Sequence, residues 1–133
     1  MAKVYYPKFK EAIWGPLDVT AATVKCVFLD LALYTYDAAD EFLADVPALA
    51  RVGTPQEIAS KTFLLGVFDG NNLAFPAIPA GDPLGAFLIY IDTGVEATSR
   101  LILYSEDAGV DLPFTPSGAP EALTWHASGI AAL

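Results

Sequence analysis

Reactive side chains are scarce in this sequence. It has one cysteine, one histidine, and seven lysines and arginines against sixteen acids. A lone thiol, Cys26, cannot form an internal disulfide. It sits in the apolar run Val24-Lys-Cys-Val-Phe28 and is expected to be a buried small hydrophobe rather than a reactive group. His126 by itself lacks the partners that a catalytic triad or a typical zinc site requires. No apolar run reaches the roughly 18 residues of a membrane span, because Asp, Gly or Pro interrupts each one. Met1 to Lys10 carries three lysines and no apolar stretch, unlike a secretory leader. No glycine-rich loop precedes a helix as phosphate binding needs, and Gly15-Pro16 and Gly81-Asp-Pro83 are punctuation.

Positive charge is sparse and unevenly placed. The formal net charge is −9. Lys3, Lys8, Lys10 and Lys25 outnumber Glu11 and Asp18 at the N-terminal end, and only Arg51, Lys61 and Arg100 follow. Beyond Arg100 come Glu106, Asp107, Asp111 and Glu121 with no Lys or Arg. An acidic body excludes nucleic acid as a partner, because neutralising phosphates needs clustered Lys and Arg. The basic N-terminal segment either docks on an acidic protein surface or only keeps that end soluble.

Apolar side chains are what the sequence has in excess. They make up 54% of it, against 17% charged. A chain of 133 residues suits one domain with a core that needs no disulfide or metal. The surplus lines a subunit interface or fills an unusually tight, alanine-rich core.

The patterning is mostly β. Residues 5–14 predict a short helix, with Pro7 in its first turn, Gly15-Pro16 at its end, and Phe9, Ile13 and Trp14 toward one face. Thr23–Asp30 predicts a strand that is apolar on both sides and therefore interior to a sheet. Tyr34-Thr-Tyr36 is strand-like, and Asp40–Ala44 is a helical turn capped by Asp37 or Asp40. Arg51-Val-Gly53 starts a strand that Thr54-Pro55 interrupts. Lys61–Phe68 predicts one strand, and Asp69-Gly-Asn-Asn72 a hairpin turn leading to Leu73-Ala-Phe75. Pro76 and Pro79 restrict that return to an edge or a short length. Leu84–Asp92 and Leu101–Tyr104 predict an antiparallel pair, Leu112–Pro116 an extended segment, and Leu123-Thr-Trp125 a last strand. Seven or eight short strands with turns every 8–12 residues or so predict an antiparallel β-sandwich or jelly roll with a short N-terminal helix. The expected organisation is a single structural domain over 1–133, with 1–20 as a helical arm and 21–133 as the sandwich.

Candidate chemistry is thin. Asp92 and Glu96 flank one turn and could pair as glycosidase carboxylates do, but a solvated turn explains them as well. Asp69-Gly-Asn-Asn72 lacks the spacing and closing Glu of a calcium loop. Tyr5, Tyr6, Phe9 and Trp14 crowd the N-terminus, and Tyr34 and Tyr36 share a strand face. Such rings build carbohydrate platforms, and they also fill cores and interfaces. No catalytic residue, metal or cofactor is implied, and the chain is not expected to be an enzyme.

Several blocks together resemble a family of small virion proteins of tailed phages. They are Tyr6-Pro-Lys-Phe-Lys-Glu-Ala, Thr23-Val-Lys-Cys-Val-Phe-Leu-Asp30, Tyr34-Thr-Tyr36, Asp40-Glu-Phe-Leu-Ala-Asp-Val-Pro47 and Ala50-Arg-Val52. Ile89-Tyr-Ile-Asp-Thr-Gly-Val-Glu-Ala-Thr-Ser-Arg-Leu-Ile102, Leu112-Pro-Phe-Thr-Pro-Ser-Gly118 and Leu123-Thr-Trp125 complete the series. The chain departs from the family in being short between residues 14 and 20. The resemblance implies a non-enzymatic structural component of the phage particle, either a capsid decoration (cement) protein or a tail or baseplate part. For a decoration protein the partners are the major capsid protein and further copies of the chain, as dimer or trimer, on the outer capsid surface, with no membrane. The expected contact is the N-terminal segment, with Lys3, Lys8 and Lys10 meeting acidic groups and Tyr5, Tyr6, Phe9 and Trp14 as anchors. A carbohydrate-binding host-attachment module is the reading from another class.

Overall fold

The computed structural model describes residues 3–13, 19, 21–106, 112–125 and 129–132. Strand β1 (Lys3–Tyr5) leads into helix α1 (Pro7–Ala12), and then come β2 (Val24–Leu29), β3 (Arg51–Glu57), β4 (Thr62–Leu64) and β5 (Val67–Asp69). The chain continues through β6 (Leu73–Phe75), β7 (Ala86–Ile91), β8 (Leu101–Ser105), β9 (Glu121–Leu123) and β10 (Ala131–Ala132). The fold is mainly β, antiparallel and sandwich-like, with one short α-helix and no closed barrel among the described residues. No helix among the described residues is long and apolar enough to cross a membrane.

The main sheet runs β1-β8-β7-β2-β3. Its central strands bury almost every residue: all six of β7, all five of β8, and all of β2 but Lys25. Strand alternation decides what each face meets. Phe28 and Phe87 are register partners and share one face. Phe28 packs on Phe75 at 4.6 Å and Phe87 on Trp125 at 5.4 Å between ring centroids. That face therefore lies under the small sheets β6-β9 and β10-β5-β4. Tyr104 is in register with Leu88, one residue on from Phe87, so it points the other way. There it meets Tyr36 at 5.4 Å and Tyr34 at 6.3 Å, from the long connection between β2 and β3. Two 3-10 turns, Leu43–Asp45 and Ala48–Ala50, continue that cover, with Leu43, Val46 and Ala50 buried.

Several local expectations need correction. Thr54-Pro55 interrupts the ladder of the third strand, but the strand continues past it over Arg51–Glu57. Cys26 pairs with Gln56 and Phe28 with Val52, so Gly53, Thr54 and Pro55 together oppose Val27. A bulge on an edge strand absorbs the proline's missing N–H, and Gly53, at φ 87°, supplies the left-handed backbone. Lys61–Phe68 is not one strand either. It folds back at Leu65 and Gly66, whose φ of 53° and 79° are those of a two-residue type I′ hairpin. Asp69-Gly-Asn-Asn72 is not a hairpin turn: β5 pairs with β4 and β10, while β6 pairs with β9, so the segment carries the chain between sheets. Its asparagines brace Trp125, whose indole N–H donates to the Asn71 carbonyl at 2.8 Å and whose backbone N–H donates to Asn72 Oδ1 at 3.1 Å. Tyr34-Thr-Tyr36 forms no strand, the 3-10 turn starts at Leu43 rather than Asp40, and the strand expected at 123–125 lies at Glu121–Leu123, with β10 after it. Gly15-Pro16 and His126 lie outside the described residues.

Phe87 is the most telling core residue, because it joins the two layers. Phe87→Ala is expected to cost about 3–5 kcal/mol, read as a lower urea midpoint at unchanged slope. A loss under about 1 kcal/mol would contradict the close packing.

Candidate partner-binding surface

The N-terminal segment is not a free arm. Residues 3–5 hydrogen-bond to β8 with Lys3 opposite Ser105 and Tyr5 opposite Leu103. An edge strand locked into a sheet cannot also reach over a neighbour. Tyr5 turns inward by strand alternation, stacks on Phe9 at 5.7 Å, and donates its hydroxyl to the Ala131 carbonyl at 3.1 Å. Lys3 Nζ donates to the Ile130 carbonyl at 2.9 Å. Tyr5, Tyr6 and Phe9 are all core residues, which corrects the expectation that they anchor a partner. Lys8 and Lys10 stay exposed on α1, with Lys8 paired to Glu11 at 3.2 Å. Trp14 lies outside the described residues.

Tyr6 begins a buried relay. Tyr34 gives its only hydroxyl proton to Asp40 Oδ2 at 2.8 Å, so at the 2.8 Å contact between the two phenols Tyr6 is the donor. Burial, then this bond, drive the Tyr6 hydroxyl far above its ordinary range. Burial also raises Tyr34, and Asp40 adds to it. Asp40 is itself raised, by burial and then by the charges of Asp37 and Asp45. The relay ties the first helix to the long connection that covers Tyr104.

Asp92 and Glu96 do not form a carboxylate pair with each other. Asp92 is held by Lys25 at 2.7 Å and Glu96 by Arg51 at 2.7 Å. Lys25 and the Gly94 N–H hold Asp92 below the usual carboxylate range, and Arg51 does the same for Glu96. Both stay ionised at neutral pH, so neither is placed to deliver a proton. Arg100 binds Glu41 at 3.2 Å and lies 5.0 Å over the Phe42 ring. Asp69 accepts from the Gly70 N–H at 2.8 Å, an ordinary turn use.

Sequence reasoning missed the most prominent surface feature. At the β4–β5 hairpin, Phe63 is 40% exposed, Leu64 70% and Leu65 94%. A leucine with φ 53° pays backbone strain at a position that suits Gly or Asn. The signal was Gly66 inside an apolar run, which marks a turn or bulge as readily as a strand. Of the rings considered for a carbohydrate platform, Tyr5, Tyr6, Phe9 and Tyr34 are buried, Tyr36 is partly so, and Trp14 lies outside the described residues. Phe63, the exposed aromatic, is stacked on Phe68 at 4.7 Å.

Two adjoining clefts open beside the Tyr34 loop. One, about 580 Å³, has Leu31, Pro83 and Pro113 in its apolar lining and Asp30, Asp82 and Glu106 among its acids. The other, about 320 Å³, is lined by Leu31, Tyr34, Thr35, Tyr36, Tyr104 and Glu106. Gly85 permits the first: a Cβ there would stand 2.7 Å from Leu31 Cδ1.

No protein-family model matches the chain, and no curated protein matches it.

Two measurements check the relay and the buried phenols. Tyr34→Phe strands the buried Tyr6 hydroxyl and is expected to cost about 1–3 kcal/mol. Tyr36→Phe, whose hydroxyl has no partner among the described residues, should change stability by less than about 0.5 kcal/mol. Burial pushes Tyr5, Tyr90 and Tyr104 from 10.0 up to about 12. A phenol with a raised folded pKa adds stability that is complete below its unfolded value and is lost as pH climbs through the folded one. Unfolding free energy should therefore hold to about pH 10 and collapse by about pH 12, with tyrosinate absorbance rising together with loss of structure. Tyrosinate forming well before unfolding would contradict the burial.

Proposed function

We propose that the chain is a structural protein of a phage particle, a capsid decoration protein that works by surface contact with the major capsid protein and with copies of itself. The observation that carries this reading is the pairing of a sheet whose central strands are buried with an exposed apolar hairpin tip. Exposed leucines on a strained turn are costly for a chain that acts alone, and contiguous apolar patches mark contact sites. The acids and bases support it too. Asp92, Glu96 and Glu41 neutralise Lys25, Arg51 and Arg100 within the fold, which is a stabilising use of charge. The resemblance of several sequence blocks to small phage virion proteins is what suggests the particle as the assembly.

Contact with the shell falls to the exposed face of α1, where Lys8 and Lys10 meet acidic groups of the capsid protein. Individual contacts of this kind are weak at the surface. Repetition over a shell multiplies them, and apolar area buried at the contact adds about 25 cal/mol per Å².

Gold-labelled antibody against the chain, applied to intact particles of the phage that encodes it, is expected to decorate the whole shell in electron micrographs. Label confined to the tail would replace decoration by a tail or baseplate role. Unlabelled particles that also lack the chain on denaturing gels would end the virion reading.

A further inference from the structure

We propose that copies of the chain associate head to tail, with the hairpin tip of one molecule seated in the acidic, apolar-lined cleft of the next. The inference rests on the assembly reading above and names the partner of its hairpin.

The two surfaces complement each other in shape. The tip is a narrow two-residue turn carrying Leu64 and Leu65, and it stands clear of its own domain. The cleft of about 580 Å³ offers Leu31, Pro83 and Pro113 as an apolar lining.

They also complement each other in charge. An acidic chain repels its own copies unless a base of one meets acids of the other. Lys3, Lys8, Lys25, Arg51 and Arg100 all bind acceptors inside the fold. Lys10 and Lys61 have no hydrogen-bond or ion-pair partner among the described residues. Lys61 stands at the foot of the hairpin, three residues before Leu64 and so about 10 Å behind it along an extended strand. Seating the tip brings that ammonium toward the exposed Asp82 at the cleft edge, whereas Asp30 is buried and already accepts from the Ala32 N–H.

A knob and a cleft on different parts of one molecule make a heterologous contact, which closes into a ring or runs on as a filament according to the rotation between copies. This geometry has a distinctive test. Leu64→Thr with Leu65→Asn removes the apolar tip, and both replacements suit their backbone positions. Ala32→Arg plugs the cleft from an exposed lining position and repels Lys61. Circular dichroism and melting curves establish that each variant is folded.

In sedimentation velocity over a range of concentrations, the wild-type mass should rise above the 14.1 kDa of one chain. Each variant alone should associate at least tenfold more weakly. Mixing the two should restore a dimer, because the tip-less chain keeps its cleft and the plugged chain keeps its tip. A wild type that stays monomeric throughout overturns the proposal. So does a tip-less variant that still associates, or a mixture that recovers no dimer, the result expected if β4 edges pair symmetrically. These readings use the purified chain alone, whereas the virion role is read on particles, so either can fail without the other.

Discussion

The structure depends on burial of one sheet from both sides. Strands β2, β7 and β8 carry apolar residues at nearly every position, and such strands are stable only where each face has a cover. One cover is built from short strands and the other from an irregular connection with tyrosines and 3-10 turns. Most other features serve this arrangement. The Tyr6–Tyr34–Asp40 relay fastens the irregular cover, Arg100 ties residues 41 and 42 to the start of β8, and Trp125 is braced by Asn71 and Asn72 above Phe87.

The central sheet was legible in the sequence because its signal is local. Ala86–Ile91 and Leu101–Tyr104 are unbroken apolar runs, Val24–Leu29 is one but for Lys25, and a short polar connection predicts antiparallel pairing of the first two. The pieces that depend on distant partners were not legible. Lys3–Tyr5 is a strand only because β8 has a free edge, and Ala131–Ala132 is one only because β5 lies beside it. Neither has a pattern of its own. Lys61–Phe68 was misread for a different reason. β-propensity describes fit to a pleated surface and is blind to a single left-handed residue, so Leu65-Gly66 passed as mid-strand.

The same limit governs the candidate surface. Aromatic residues near a chain end look like anchors when only their order is known. Three-dimensional placement turns Tyr5, Tyr6 and Phe9 into core and leaves Lys8 and Lys10 outside. In the sequence the hairpin leucines read only as part of one strand, Lys61–Phe68. Their exposure follows from a reversal that moves them off the sheet, and that reversal is a property of backbone angles.

Cys26 gives the molecule a built-in reporter. Its thiol is wholly buried in the interior strand β2, and burial holds it well above the ordinary thiol range. The thiolate is the nucleophile, so an alkylating reagent finds nothing to attack until the sheet itself separates. Its rate of labelling in native buffer thus tracks whole-sheet opening rather than fraying of the loops. One natural side chain gives a clock for how long the native molecule persists, without any engineered probe.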